Sequence, residues 1–61
     1  MRYSELERKL RAAGCTVQRE GSSHQLWHSP ITGKTFTVGR HKGQEVPKGT
    51  LKSILRAAGL E

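Results

Sequence analysis

Apolar residues recur at Leu6, Leu10 and Ala13, a spacing that places them on one stripe of a helix. Ser4 followed three residues later by Glu7 has the form of a capping box, and Glu5 and Glu7 lie where the helix dipole favours acids. Gly14 suits the left-handed position that ends a helix, so the pattern predicts a first helix over residues 4–13. The period then falls to two. In CTVQRE, Cys15 and Val17 alternate with Thr16 and Gln18, as in a half-buried strand. Gly21-Ser22 makes a turn, SHQLWHS reads as a second strand, and SPITGK reads as a loop. TFTV is a third strand, with Phe36 and Val38 on one face and Thr35 and Thr37 on the other. The stretch GRHKGQEVPKG carries three glycines, one proline and several charges, and its length marks it as a candidate functional loop. Thr50 caps a last helix whose Leu51, Ile54, Leu55 and Ala58 form an apolar stripe ending at Gly59.

The order is helix, three antiparallel strands, helix. Both helical stripes need one sheet face to bury against, which leaves the other face open to water. The expected architecture is a small α+β sandwich with an exposed sheet. The pentapeptide LRAAG occurs at residues 10–14 and again at 55–59. It reads as the shared grammar of amphipathic helices ending at glycine rather than as a duplicated domain.

Length limits what such a fold can hold. At 61 residues the chain has room for one domain, residues 1–61. A chain of this size buries only about 60% of its unfolded surface, so a deep substrate cavity is not expected. A shallow surface site suits a polymeric substrate better than a small metabolite. Eleven Lys and Arg against five Asp and Glu give a net charge of +6, which favours an anionic partner such as nucleic acid, an acidic protein or an anionic membrane. Cys15 is the sole cysteine and reads as a small buried hydrophobe, so neither an internal disulfide nor a thiolate zinc cluster is available. No apolar run reaches membrane-spanning length and the N-terminus has no signal-peptide core, so no membrane association is expected and the location is cytoplasmic by default.

Chemistry concentrates in GSSHQLWH, residues 21–28, which holds two of the three histidines. On a helix, His24 and His28 would lie about 6 Å apart and could share a metal. On a strand they are roughly 13 Å apart, too far for both rings to reach one ion. The strand reading therefore rejects the metal pair, and no cofactor is expected. His24, Leu26 and His28 share one strand face, and Gln25 and Trp27 share the other. The only tryptophan in so small a core belongs inside, which turns His24 outward onto the open sheet. An exposed histidine can act as general acid or base, and RNA brings its own nucleophile in the 2′-hydroxyl. From these residues alone, an ordinary polar surface histidine remains the simpler account.

Across the whole chain the sequence resembles the HicA toxin family, small ribosome-independent mRNA interferases of bacterial toxin–antitoxin pairs. The resemblance is carried by SELERKLRAAG, by GSSHQLWHSP with the family's Gly-Ser-x-His pattern, by TVGRH after the third strand, and by the ending PKGTLKSILRAAGL. It implies a double-stranded-RNA-binding-domain-like α-β-β-β-α fold with an essential histidine on the second strand, which here is His24. It also implies an mRNA substrate and a separate HicB-type antitoxin that covers the active surface. The family commonly has proline where this chain has Gly39, and often histidine where Ser23 stands.

With the resemblance, Arg40 becomes an expected phosphate contact, joined by His41 and Lys42 in the same basic cluster. Lys48 precedes the last helix, whose first amides around Thr50 and Leu51 form an expected anion site. His41 and His28 are the candidates for a second acid/base group, with His24 and water as the alternative. The leading reading is a metal-independent endoribonuclease toxin with His24 as general acid/base. The other readings are a non-catalytic RNA-binding module of the same fold and a protein-interaction domain whose charge serves an acidic partner.

Overall fold

The computed structural model describes residues 1–41 and 43–61; Lys42 lies outside the described residues. The chain runs α1 (Tyr3–Ala12), β1 (Thr16–Glu20), β2 (His24–His28), β3 (Thr35–Gly39) and α2 (Lys48–Ala58). The three strands form one antiparallel sheet in the order β1-β2-β3. This is the expected α+β order with an open sheet, that of a double-stranded-RNA-binding-domain-like fold. Leu6 and Leu10 of α1, Ile54 and Ala58 of α2, and Trp27, Phe36 and Val38 of the sheet meet in one core, completed by Cys15 and Val46. Leu51 and Leu55 pack half-buried against it. No helix among the described residues is long and apolar enough to cross a membrane.

Both helices begin where the intervening backbone lets them. The loop after β3 is not wholly irregular, because Glu45 pairs with Arg2 in an antiparallel bridge. The Tyr3 amide donates to the Gln44 carbonyl at 3.0 Å, and the Val46 amide donates to the Met1 carbonyl at 2.9 Å. Pairing holds Arg2 extended, so α1 starts at Tyr3, and it is the Glu5 carboxylate that reaches back to the Arg2 amide at 2.9 Å. The expected Ser4–Glu7 capping box is therefore displaced by two residues towards the N-terminus. The second helix starts earlier than expected as well. Pro47 has no amide to continue the pairing of residues 44–46, and the Leu51 amide already donates to the Pro47 carbonyl at 2.8 Å. Thr50 thus lies inside α2 and does not cap it.

The repeated LRAAG is a repeated helix end. In α1 the Cys15 amide donates to the Leu10 carbonyl and the Gly14 amide to the Arg11 carbonyl, each at 3.0 Å. In α2 the Leu60 amide donates to the Leu55 carbonyl at 2.8 Å and the Gly59 amide to the Arg56 carbonyl at 3.2 Å. Both are Schellman motifs, with Gly14 at φ 91° and Gly59 at φ 81° in the left-handed region and an apolar residue following each. This explains why Cys15 is buried without belonging to β1.

The two helix ends converge on the loop between β2 and β3. Ser29, fully buried, donates its hydroxyl to the Ala58 carbonyl at 2.7 Å, and Thr32 donates to the Ala57 carbonyl at 2.6 Å. Two carbonyls that α2 leaves without intrahelical partners are satisfied in this way. A methyl group at Gly59 would lie 2.7 Å from Ile31 Cγ2 and 2.9 Å from Thr32 Cγ2, while one at Gly33, also at positive φ, would meet nothing within 4 Å. Backbone strain alone predicts a loss of roughly 1–2 kcal/mol for either Gly→Ala change. Gly59→Ala should lose at least about 1 kcal/mol more than Gly33→Ala, because it also overpacks the clasp. Urea denaturation midpoints of the two variants check this, and equal losses would show that the loop does not grip the helix end.

Candidate functional site

The open sheet face is sorted by a single irregularity in β1. Thr16 pairs with His28 and Val17 with Trp27, but Arg19, not Gln18, pairs with Leu26, and Glu20 pairs with Gln25. Gln18 is the extra residue of a β-bulge. Strict alternation from Val17 would send Arg19 into the core and Glu20 onto the open face. The bulge reverses both. Arg19 stands with His24, Leu26 and His28 on the open face, and Glu20 turns to the helix side beside buried Gln25.

Trp27 has no accessible surface and His24 is exposed, so the expected orientation of β2 holds. The Arg11 guanidinium lies 5.1 Å from the indole centroid and is paired to Glu7 at 3.3 Å, closing the core from the α1 side. His24 and His28 stand at opposite ends of β2. His28 is half-buried between Thr16 and Thr35. Leu26 lies between Arg19 and Thr37, which puts Arg19 roughly 7 Å along the strand from the level of His24.

His24 opens β2 directly after the hairpin turn, and its surroundings are built mostly from backbone. The Gly21 amide donates to the His24 carbonyl at 2.7 Å. A methyl group at Gly21 would come within 2.9 Å of that oxygen, so the approach depends on glycine. Across the sheet His24 faces Gly39, which presents no side chain. Ser23 Oγ lies 3.1 Å from His24 Nδ1. When Nδ1 carries the proton it donates to the serine, and Nε2 is left with a lone pair that can accept one. Nε2 has no hydrogen-bond partner among the described residues.

Of the basic residues after β3, Arg40 and His41 have different neighbours. The Arg40 amide donates to the Ser23 carbonyl at 3.1 Å, and its Nη1 donates to the Gly21 carbonyl at 2.8 Å. Its Nη2 lies 3.9 Å from Glu20 Oε1. Arg40 therefore clasps the turn that carries His24, while its guanidinium is drawn to the helix side. His41 packs edge-on against the Tyr3 ring, with centroids 6.2 Å apart. Lys48, exposed, is the first residue of α2. The amides of Lys48, Gly49 and Thr50 precede the first intrahelical bond, but the Leu51 amide, expected to join them, is taken by Pro47. Lys42 lies outside the described residues.

Two members of the site escaped sequence reasoning. Ser23 stood next to His24 in plain view, but only the fold shows its hydroxyl turned to Nδ1. Arg19 was hidden by the bulge, whose one outward sign is the absence of an apolar residue at position 19.

The family model described as HicA toxin of bacterial toxin-antitoxin matches residues 3–60. The chain belongs to the HicA toxin family. It is thus the toxin of a toxin–antitoxin pair, with an antitoxin as the implied partner. Comparison with curated proteins and with solved structures found no match. The family match spans both helices and all three strands, including the His24 turn and the Arg40 clasp.

The Gly21–His24 contact yields a local test. Gly21→Ala should raise the exchange rate of the amide at position 21 about tenfold or more, equivalent to about 1.4 kcal/mol. Native-state hydrogen exchange measures this, and unchanged protection would mean that the turn does not require glycine.

Proposed function

We propose that the toxin is a metal-independent endoribonuclease, an mRNA interferase, in which His24 is the general acid/base. The observation that carries this reading is the setting of His24. It is exposed on the open sheet face at the level of a glycine, with Nδ1 on Ser23 and Nε2 free of partners among the described residues. A polymer can lie across such a face, and no pocket is needed.

The chemistry fits the groups at hand. His24 Nε2 accepts the proton of a ribose 2′-hydroxyl, the oxygen attacks the adjacent phosphorus, and the 5′-oxygen of the next nucleotide leaves as it is protonated. A cyclic 2′,3′-phosphate is the product of that step. Arg19 stands on the same face to meet the charge that grows on the phosphoryl oxygens. Arg40, His41, Lys42 and Lys48 supply further cationic contacts along the backbone of the RNA, Arg40 with Nη1 committed to the turn. The second acid/base group is water or one of His28 and His41.

A HicB-type protein is the proposed antitoxin, and an acidic surface on it would match the +6 charge of the toxin. Cytoplasmic mRNA as the substrate places both partners in the cytoplasm.

The direct test is cleavage of an end-labelled single-stranded RNA in EDTA. Wild type should cut and His24→Ala should lose at least about a hundredfold of the rate, the usual scale for a general acid/base. Wild type that binds RNA in a salt-dependent way but leaves it intact would replace the enzyme with a binding module.

A further inference from the structure

Glu20 is out of place by charge alone. In a chain of net charge +6 that is proposed to bind a polyanion, a carboxylate directly before the His24 turn weakens the attraction for RNA. Its contacts give it a different task.

A chain of polar contacts runs from the core to the turn. Trp27, fully buried, donates its indole N–H to Gln25 Oε1 at 3.3 Å. Gln25 donates from Nε2 to Glu20 Oε1 at 2.8 Å. The indole can only donate and the carboxylate can only accept, so the orientation of the Gln25 amide is fixed by its two neighbours. The same Glu20 oxygen faces Arg40 Nη2 at 3.9 Å, an ion pair without a direct hydrogen bond. Arg40 then holds the turn twice, through Nη1 on the Gly21 carbonyl and through its amide on the Ser23 carbonyl. Gly21 and Ser23 both hydrogen-bond to His24, one at its carbonyl and one at Nδ1.

We propose that Glu20 is a positioning residue for His24, acting through Arg40 and the backbone of the turn. The proposal rests on the reading of His24 as the acid/base group. Glu20 touches no substrate. It anchors the Arg40 guanidinium on the helix side of the sheet, so that the turn carrying His24 is tied to the buried indole and not left to its own short hairpin. The bulge at Gln18 is what makes this possible, since it puts Glu20 beside Gln25.

Electrostatics and positioning predict opposite signs. Glu20→Ala removes a negative charge, so a purely electrostatic role predicts a lower KM and an unchanged or higher kcat. Positioning predicts that kcat falls about tenfold while KM does not rise, the scale expected when an acid/base group is misplaced by a fraction of an ångström. Glu20→Gln keeps an acceptor for Gln25 without the charge for Arg40, and its kcat should fall between the two. Glu20 is exposed, so neither variant should threaten folding.

Amide exchange supplies the readout that does not depend on cleavage. In Glu20→Ala the Arg40 amide should exchange about tenfold faster, with the amides of central β2 unchanged as the control for an intact fold. Unchanged kcat, or an Arg40 amide protected as in wild type, would overturn the proposal. If wild type cut no RNA, the endoribonuclease reading would fail by itself, and Arg40 exchange would still decide whether Glu20 holds the turn.

Discussion

Burial of the Trp27 indole is the constraint to which the other features of the molecule answer. A domain of this length has a total stability of roughly 3–9 kcal/mol, at 0.05–0.15 kcal/mol per residue. Enclosing one tryptophan, with about 150–250 Å² of surface at roughly 25 cal/mol per Å², contributes about 4–6 kcal/mol before entropic costs. No other side chain here offers as much, so the sheet must present Trp27 to the helices. Period-two geometry then leaves His24, Leu26 and His28 no choice but the opposite face. The catalytic candidate is exposed because its neighbour three residues along is buried.

That constraint propagates outward through polar groups. The indole N–H cannot be buried unpaired, and Gln25 satisfies it from the same strand face. Gln25 in turn needs an acceptor, and the bulge in β1 brings Glu20 to it while turning Arg19 to the open side. One extra backbone residue therefore separates the charges across the sheet, with Arg19 on the open face that carries His24 and Glu20 on the helix side near Arg40. At the far end each helix closes in a Schellman cap, and the hydroxyls of Ser29 and Thr32 fasten α2 to the β2–β3 loop. The hydrogen-bonded end of α2 and the turn that carries His24 lie at opposite ends of the sheet.

Most of this was legible in the sequence, and the exceptions share a cause. Helical stripes at Leu6–Leu10 and Ile54–Ala58, the strand carrying Trp27, and the outward turn of His24 all follow from local periodicity. Helix starts did not, because they are set by pairing between residues 1–3 and 44–46, which are far apart in the chain. Gln18 looks like any polar strand residue, and the one local sign of the bulge is the missing apolar residue at position 19. Arg40, His41 and Lys42 are adjacent in sequence and suggested a common role, yet the sheet end sends Arg40 to the hairpin turn and His41 to the Tyr3 ring. The repeated LRAAG has the form of a helix end in the sequence; that both copies are Schellman caps is visible only in the hydrogen bonds.

In the proposed reaction the substrate supplies the nucleophile and His24 moves its proton. It is tested most directly with two RNAs identical except for a single 2′-deoxyribose placed 5′ of the cleaved bond, incubated with wild-type protein in EDTA. The all-ribose strand should be cut to leave a 2′,3′-cyclic or 3′-phosphate end, and the deoxy position should not be cut at all. Cleavage at the deoxy position, or products bearing a 5′-phosphate, would contradict it.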